Sequence, residues 1–287
     1  TELSTLFHYF PLGVVALDLE TTGLSPYSDE IIEVAAIKLC PDGTFVFQTL
    51  VRPVSSTPEA TMNIHGISSL MLKDAPLLLE LIPELQEFIS ELPCFAHNAP
   101  FDFGFILKAY FNSKRPVPNN KIYCTVKLAR SAFPKIGSYK LISLTKFLQL
   151  ETVVPNHRAF PDSLACLCLL VKALSAVHAS ETPTTSKQKI INDAMVFALD
   201  QLSKVDELKL PPGGEFLMQA IPNQEKIEIK YQGGSHKGVF RPICPVGILI
   251  MPYGMSLYAH CLLSDQYKSF MLSKIIAIRP CPKTPSE

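Results

Sequence analysis

An α/β domain followed by a smaller β-rich module is the architecture this sequence predicts, on three observations. Short apolar runs rich in β-branched residues alternate with segments of helical periodicity as far as about Val177. A polar stretch of small residues, Ala179-Ser180-Glu181-Thr182-Pro183-Thr184-Thr185-Ser186, then breaks the pattern and reads as a linker. From Pro211 onward, short strands punctuated by Pro and Gly replace the helices. The boundaries read as 1–178 for the first domain, 179–188 for the linker, and 189–287 for a helix plus the β module.

The elements follow in order. Val14 to Leu19 is a continuous apolar run, a buried strand. Ile31 to Leu39 and Thr44 to Val51 are two strands joined by Cys40-Pro41-Asp42-Gly43, and the Asp-Gly pair predicts a hairpin. Ala75 to Leu92 has helical spacing with Pro83 inside it, which predicts two short helices or one kinked helix. Pro93 to Ala96 is a short strand, and Pro100 suits the first turn of a helix reaching about Tyr110. Thr125 to Phe133, Leu141 to Leu148 and Pro161 to about Val177 read as helices, the last apolar on most sides and therefore buried. Lys187 to Leu208 reads as an amphipathic helix.

Composition narrows the class. The chain has 287 residues, 47% hydrophobic and 18% charged, which suits a folded protein of two domains and excludes a disordered one. Its eight cysteines contain no C-x-x-C pair, which argues against a zinc site and for reduced thiols in the cytoplasm. Glu2 and His8 interrupt any N-terminal apolar leader. Pro242 to Leu263 carries no Asp, Glu, Lys or Arg and is long enough to span a bilayer. Its three prolines and two glycines read instead as strand, turn and strand, so no membrane contact is expected.

The net charge of zero hides an asymmetry. Residues 1–102 carry fourteen acids against three bases, Lys38, Arg52 and Lys73. Residues 103–150 carry no acid and nine bases: Lys108, Lys114, Arg115, Lys121, Lys127, Arg130, Lys135, Lys140 and Lys146. Each lysine alone reads as a solvated face. Nine without an acid point to a surface that meets phosphate, although spacing alone does not place them together.

Four carboxylates and a histidine carry the chemistry. Asp18 and Glu20 lie at positions i and i+2 of the first strand, so both point to one face. Two acids so placed repel unless a cation neutralises them, and oxygen ligands suit Mg²⁺ or Mn²⁺. Asp102 follows in His97-Asn98-Ala99-Pro100-Phe101-Asp102, and His157 and Asp162 in His157-Arg158-Ala159-Phe160-Pro161-Asp162. A pair of divalent ions stabilises both the attacking and the leaving oxygen of a phosphodiester, and a histidine beside them can take the proton of the attacking water.

Asp18-Leu19-Glu20-Thr21-Thr22-Gly23 resembles the first motif of the DnaQ-like 3′→5′ exonucleases, the DEDDh family, which includes the epsilon subunit of bacterial DNA polymerase III and RNase T. The segments ending in Asp102 and Asp162 resemble its second and third motifs. Ile64-His65-Gly66-Ile67-Ser68, Leu128-Ala129-Arg130 and Ser138-Tyr139-Lys140-Leu141 resemble its intervening stretches, and the likeness covers roughly residues 10–175. The resemblance implies an RNase H-like mixed sheet flanked by helices. It implies that Asp18, Glu20, Asp102 and Asp162 bind two divalent ions, Asp18 bridging both, with His157 as general base. Thr21, Thr22, Gly23, Leu24, His65, Asn98 and Phe101 become the residues that meet the nucleotide. Leu24 and Phe101 suit stacking against terminal bases or an ordinary core, and His97 reads as structural. The sequence departs from the pattern at Cys124-Thr125, where many relatives have Asp-Thr, and at Pro161, directly before Asp162.

The C-terminal module resembles a WYL domain, a small SH3-like β barrel, across Ile227 to Tyr231, Gly238 to Pro245, Leu257 to Ala259 and Tyr267 to Phe270. The usual tryptophan is absent, and Lys268 stands where arginine is common. That likeness implies nucleic-acid or nucleotide contacts at Tyr231, Arg241, Tyr258 and Lys268, with a packing or dimerisation module as the alternative.

The expected function is a metal-dependent 3′→5′ exonuclease acting on DNA, of a proofreading or repair type. Its partners would be nucleic acid with a free 3′ end and a DNA polymerase subunit, with a homodimer left open. An exoribonuclease that trims RNA 3′ ends is the nearer rival. A regulator that uses the nuclease fold as a scaffold for nucleic acid or ligand is the rival from another class.

Overall fold

The computed structural model describes residues 1–26, 29–54, 63–150, 157–200, 209–251 and 254–282. The chain divides into two compact units, residues 1–23 with 29–203, and residues 24–28 with 204–287.

The first unit is built on β1 (Val14–Thr21), β2 (Ile31–Cys40) and β3 (Gly43–Leu50). β2 and β3 form the expected hairpin, with Cys40 paired to Gly43. β4 (Cys94–Ala96) and β5 (Lys121–Cys124) run parallel to β1, and β6 (Met195–Ala198) closes the sheet antiparallel to β5. The order β3-β2-β1-β4-β5-β6 makes it a mixed sheet. β1 takes an antiparallel partner on one side and a parallel one on the other. Functional groups of open α/β sheets gather outside the carboxyl ends of parallel strands. Here β1 runs on to Thr21 while its pairing with β4 is confined to Val15 and Ala16, so the far end of β1 has one edge open.

The helices are α1 (Glu2–Tyr9), α2 (Ser69–Leu72), α3 (Leu78–Ile89), α4 (Pro100–Ser113), α5 (Thr125–Ala132), α6 (Leu141–Phe147), α7 (Ala159–Ala179) and α8 (Thr184–Ala194). α3 is one helix with Pro83 inside it. α7 is long and apolar enough to cross a membrane by length and composition. In this fold it is the central helix of the core. Cys166, Leu167, Leu170, Ala173, Leu174 and Val177 pack with Leu6, Val14, Ala16, Ile37 and Phe95. α7 also begins two residues before Pro161, which therefore falls in its first turn, where a missing N–H costs no helical hydrogen bond.

The connection after α7 differs from the linker expected at 179–188. α8 starts at Thr184, directly after Pro183, and its Ile191 and Ala194 are buried in the first core. The polar Thr184-Thr185-Ser186 that suggested a linker is the opening turn of this helix. The amphipathic helix expected from Lys187 to Leu208 ends at Ala194, because Met195-Val196-Phe197-Ala198 is apolar and has an unpaired β5 edge to join. The tail of that expected helix, 201–208, lies outside the described residues.

The second unit holds α9 (Gly214–Asn223), β7 (Ile227–Tyr231), β8 (Phe240–Met251), β9 (Gly254–Cys261), β10 (Gln266–Met271) and β11 (Ile275–Pro280). Its five strands form an antiparallel sheet in the order β10-β9-β8-β7-β11. The apolar run from Pro242 thus becomes β8 and β9. Leu217 and Ala220 of α9 cover Ile229, Ile243, Leu257 and Ile278. Gly213 turns the chain into α9 at φ +81°, and a Cβ there would lie 2.3 Å from the Ile278 carbonyl oxygen.

Truncating Leu170, fully buried in the first core, should destabilise the chain by about 2–5 kcal/mol. Urea unfolding of Leu170→Ala measures this, and a loss well below 1 kcal/mol, roughly the value for a surface change, would contradict the packing.

Candidate metal-dependent nuclease site

The site begins at the open end of β1. Asp18 and Glu20 leave the strand on one face, as the period of two requires. Asp162 comes from the first turns of α7, whose packing against the sheet brings it over β1. Oxygens of Asp18, Glu20 and Asp162 all lie within 4.8 Å of one another, a spacing one cation can bridge. Asp102 and His157 fall outside this set.

Asp102 is nevertheless next to it. Asn98 takes φ +69°, a left-handed turn that asparagine tolerates, and Pro100 then starts α4 with Asp102 in its first turn. The Leu19 backbone N–H, on the edge of β1 that has lost its β4 partner, donates to the Asp102 carboxylate. His157 is exposed at φ +56°, one residue before Arg158 caps α7.

The carboxylates burden one another. Burial and then the charges of Asp102, Asp162, Glu20 and Glu33 push Asp18 well above its usual range. Burial and then Asp162, Glu33 and Asp102 raise Glu20 to about 8, against the opposing charge of Arg158. Asp102 is likewise raised to about 8, chiefly by burial. All-oxygen donors at this spacing, each made less acidic by the others, fit a hard divalent cation.

The remaining predicted residues are placed as follows. Thr22 is buried and pairs with Glu30, its N–H to the Glu30 carbonyl at 2.8 Å and its hydroxyl to the Glu30 N–H at 3.0 Å. Thr21 is buried and its hydroxyl donates to the Gly23 carbonyl. The two hydroxyls thus brace the loop. A Cβ at Gly23 would meet the Asp29 carboxylate at 2.5 Å, so a larger residue there would have to displace that side chain. Leu24 is exposed, and Phe101 is half-buried with its ring edge-on to Phe105. Buried His65 accepts the Ile67 N–H on Nδ1 at 3.0 Å, which leaves the proton on Nε2, and Nε2 finds no hydrogen-bond partner among the described residues.

His97 has both nitrogens engaged. Nε2 faces the Tyr139 carbonyl at 3.0 Å and therefore donates, so Nδ1 accepts from the Thr125 hydroxyl at 3.0 Å. Burial lowers its pKa to about 4, and the neutral ring ties the loop before Asp102 to the stretch around Tyr139. Thr125, at the Cys124-Thr125 departure, is what holds it.

The nine bases of 103–150 do not fall on one element. Lys108 lies in α4 near Glu30 and Asp29, Lys127 in α5 donates to the Asp193 and Met195 carbonyls, and Arg130 covers the Tyr139 ring. In the second unit, Arg241 is buried beneath the Phe270 ring rather than presented at the surface, while Tyr258 stacks on the exposed Tyr267.

Glu33 is the site residue that sequence reasoning missed. It is fully buried and paired in register with Glu20, and it binds Arg158 through both guanidinium Nε (2.9 Å) and Nη2 (2.8 Å). The one signal was an acid inside the apolar run Ile31-Ile32-Glu33-Val34.

A pH dependence follows for the cation-free chain. Glu20 and Asp102 keep their protons up to about pH 8 when folded, whereas the unfolded chain sheds them in the ordinary carboxylate range. Their raised folded pKa values make stability full at low pH and lost as pH rises through about 8. In chelator, the melting temperature should therefore fall between about pH 5 and about pH 8, and Glu20→Gln should flatten that fall. A melting temperature that climbs across this window would refute the cluster's electrostatics.

The sequence profile of the family described as "Exonuclease" (RNase_T) matches residues 15–170. A DNA polymerase III PolC-type of Bacillus cereus is 35% identical over 165 residues, covering 57% of this chain and 11% of that protein. The PolC-type enzyme of Clostridium perfringens is 30% identical over 268 residues, covering 91% of this chain and 18% of that one. The chain thus spans less than a fifth of the length of these relatives. The nuclease domain of 3′hExo, described as a DEDDh family member bound to rAMP, is alike in fold, with TM-score 0.50, 18% identity, and coverage of 57% of this chain and 92% of that one. Exonuclease I is similar at TM-score 0.51 and 13% identity over 82% of this chain and 52% of its own. The chain belongs to the exonuclease family.

Proposed function

We propose that the chain is a divalent-metal-dependent 3′→5′ exonuclease that hydrolyses the terminal phosphodiester of DNA in a proofreading or repair role. The observation that carries this reading is the convergence of Asp18, Glu20 and Asp162 within 4.8 Å, with Asp102 fixed beside them by Leu19. Two divalent cations, Mg²⁺ or Mn²⁺, held by these four carboxylates would stabilise the attacking and leaving oxygens of the phosphodiester. His157 accepts the proton of the attacking water on its ring. The water oxygen bonds to phosphorus, the bond from phosphorus to the 3′ oxygen of the preceding nucleotide breaks, and that oxygen takes a proton from solvent. The products are a nucleoside 5′-monophosphate and a strand shorter by one residue.

Substrate contacts come from the rim. His65 offers its Nε2 donor to a phosphate or sugar oxygen, and half-buried Phe101 supplies apolar surface for the terminal base. Asn98, Thr21, Thr22 and Gly23 complete the set of residues proposed to meet the nucleotide. The likeness to proteins named DNA polymerase III PolC-type supports reading DNA as the substrate and a polymerase as the partner.

Labelled single-stranded DNA, duplex DNA with a mismatched 3′ end and RNA, each with Mg²⁺ or Mn²⁺, test this directly. Both DNA substrates should lose 5′-mononucleotides from the 3′ end, and faster hydrolysis of RNA would overturn the substrate assignment. Asp18→Asn should abolish turnover with either ion. His157→Ala should keep metal binding and lower kcat by about 10²–10⁴-fold. A variant that instead loses metal affinity and keeps its rate at saturating metal would remove His157 from the role of base.

A further inference from the structure

A fifth carboxylate shares the face of the sheet that carries the metal-binding acids. Glu33 stands opposite Glu20 in the β1–β2 ladder, so the two side chains leave the sheet on the same side with Cβ atoms about 5 Å apart. Its oxygens are committed to protein donors. Oε2 accepts from Arg158 Nε at 2.9 Å and from the Ala159 backbone N–H at 3.1 Å. Oε1 accepts from Arg158 Nη2 at 2.8 Å and from Gln48 Nε2 at 3.3 Å. Two donors on each oxygen leave little for a cation, which separates Glu33 from the metal ligands.

The pair also solves a problem at the start of α7. Arg158 is the N-cap residue, and its side chain makes no capping bond. The first N–H of the helix, on Ala159, is instead satisfied by Glu33 from a strand 126 residues away in sequence. A carboxylate at that end also suits the helix dipole. Arg158 and Ala159 lie between His157 and Asp162. Whatever fixes their backbone fixes the left-handed turn that presents His157 and the helical turn that presents Asp162.

We infer that Glu33 and Arg158 are positioning residues of the nuclease: a two-pronged clasp that docks the start of α7 on β2, sets the reach of Asp162 to Asp18 and Glu20, and aims His157. This rests on the metal-site reading above. The planar fork of Arg158, and not its charge alone, makes the clasp.

The test compares Arg158→Ala, Arg158→Lys, Glu33→Gln and the double variant Glu33→Gln/Arg158→Ala with the unaltered chain. Mn²⁺ binding is read without nucleic acid, from the electron spin resonance of the free ion. Melting temperature, kcat and KM on single-stranded DNA are read alongside. Each single change should weaken Mn²⁺ binding or lower kcat by about 10–100-fold, as losing the groups that orient metal ligands does. At saturating Mn²⁺, KM should stay within about threefold, because the clasp does not touch substrate. The double variant should be no worse than Arg158→Ala, since the pair acts as one unit. Arg158→Lys should remain impaired. Full activity in Arg158→Lys overturns the inference, as does a drop in melting temperature with Mn²⁺ affinity and kcat unchanged. If Arg158→Ala does not fold, the volume-conserving Arg158→Lys and Glu33→Gln decide. Equal Mn²⁺ binding by the unaltered chain and by Asp18→Asn would sink the metal-site reading itself. A chain that binds Mn²⁺ but cuts no DNA would sink the exonuclease reading and still leave the clasp tested by Mn²⁺ affinity.

Discussion

Like-charge repulsion at the end of β1 is the constraint that the first unit is organised around. Asp18, Glu20 and Asp162 converge, Asp102 and Glu33 add to the field, and each raises the cost of ionising Asp18. Locally the Leu19 backbone N–H fixes Asp102, and the rest of the cluster is positioned by distant partners. It is held from a distance, by the β1–β2 register that sets Glu20 against Glu33 and by the apolar burial of α7 that carries Asp162 in. A long helix with Leu170, Ala173 and Leu174 fully buried tolerates an unfavourable charge at its first turns, because its position is decided by packing elsewhere. The folded chain stores that repulsion as a site ready for a cation.

Two kinds of buried carboxylate lie side by side here, and the contrast explains their roles. Burial acts to raise Glu33, yet hydrogen bonds from Arg158, Ala159 and Gln48 outweigh it and hold the group below its usual range. Glu20, its partner across the strand, is raised to about 8 by burial and by the charges of Asp162, Glu33 and Asp102. One acid is satisfied by protein and serves the architecture. The other is left to be satisfied by something the protein binds.

What the sequence makes legible is what chain neighbours decide. Asp18 and Glu20 share a face by the period of a strand, the Asp42-Gly43 turn closes a hairpin, and Pro100 opens a helix one turn from Asp102. What it hides depends on distant partners. Glu33 looks like an isolated acid because its arginine is 125 residues away. Met195 to Ala198 becomes a strand because the β5 edge needs a partner, and Thr184 to Ser186 becomes helix because Ile191 and Ala194 have a core to enter. The nine bases between 103 and 150 are neighbours in sequence but belong to several elements. Lys108, Lys127 and Arg130 go to different local partners.

The overall charge bears on how a polyanion could approach at all. The chain has no net charge, and its first 102 residues hold fourteen acids against three bases, so there is no broad positive field to draw nucleic acid in. Once ionised, Asp18, Glu20 and Asp162 would repel a phosphodiester brought beside them as they repel one another. Cancelling those charges is therefore a condition for binding substrate as well as for stabilising the fold. On this argument metal dependence should show in KM or substrate affinity, and not in kcat alone, because the acids that define the chemistry also guard the entrance to it.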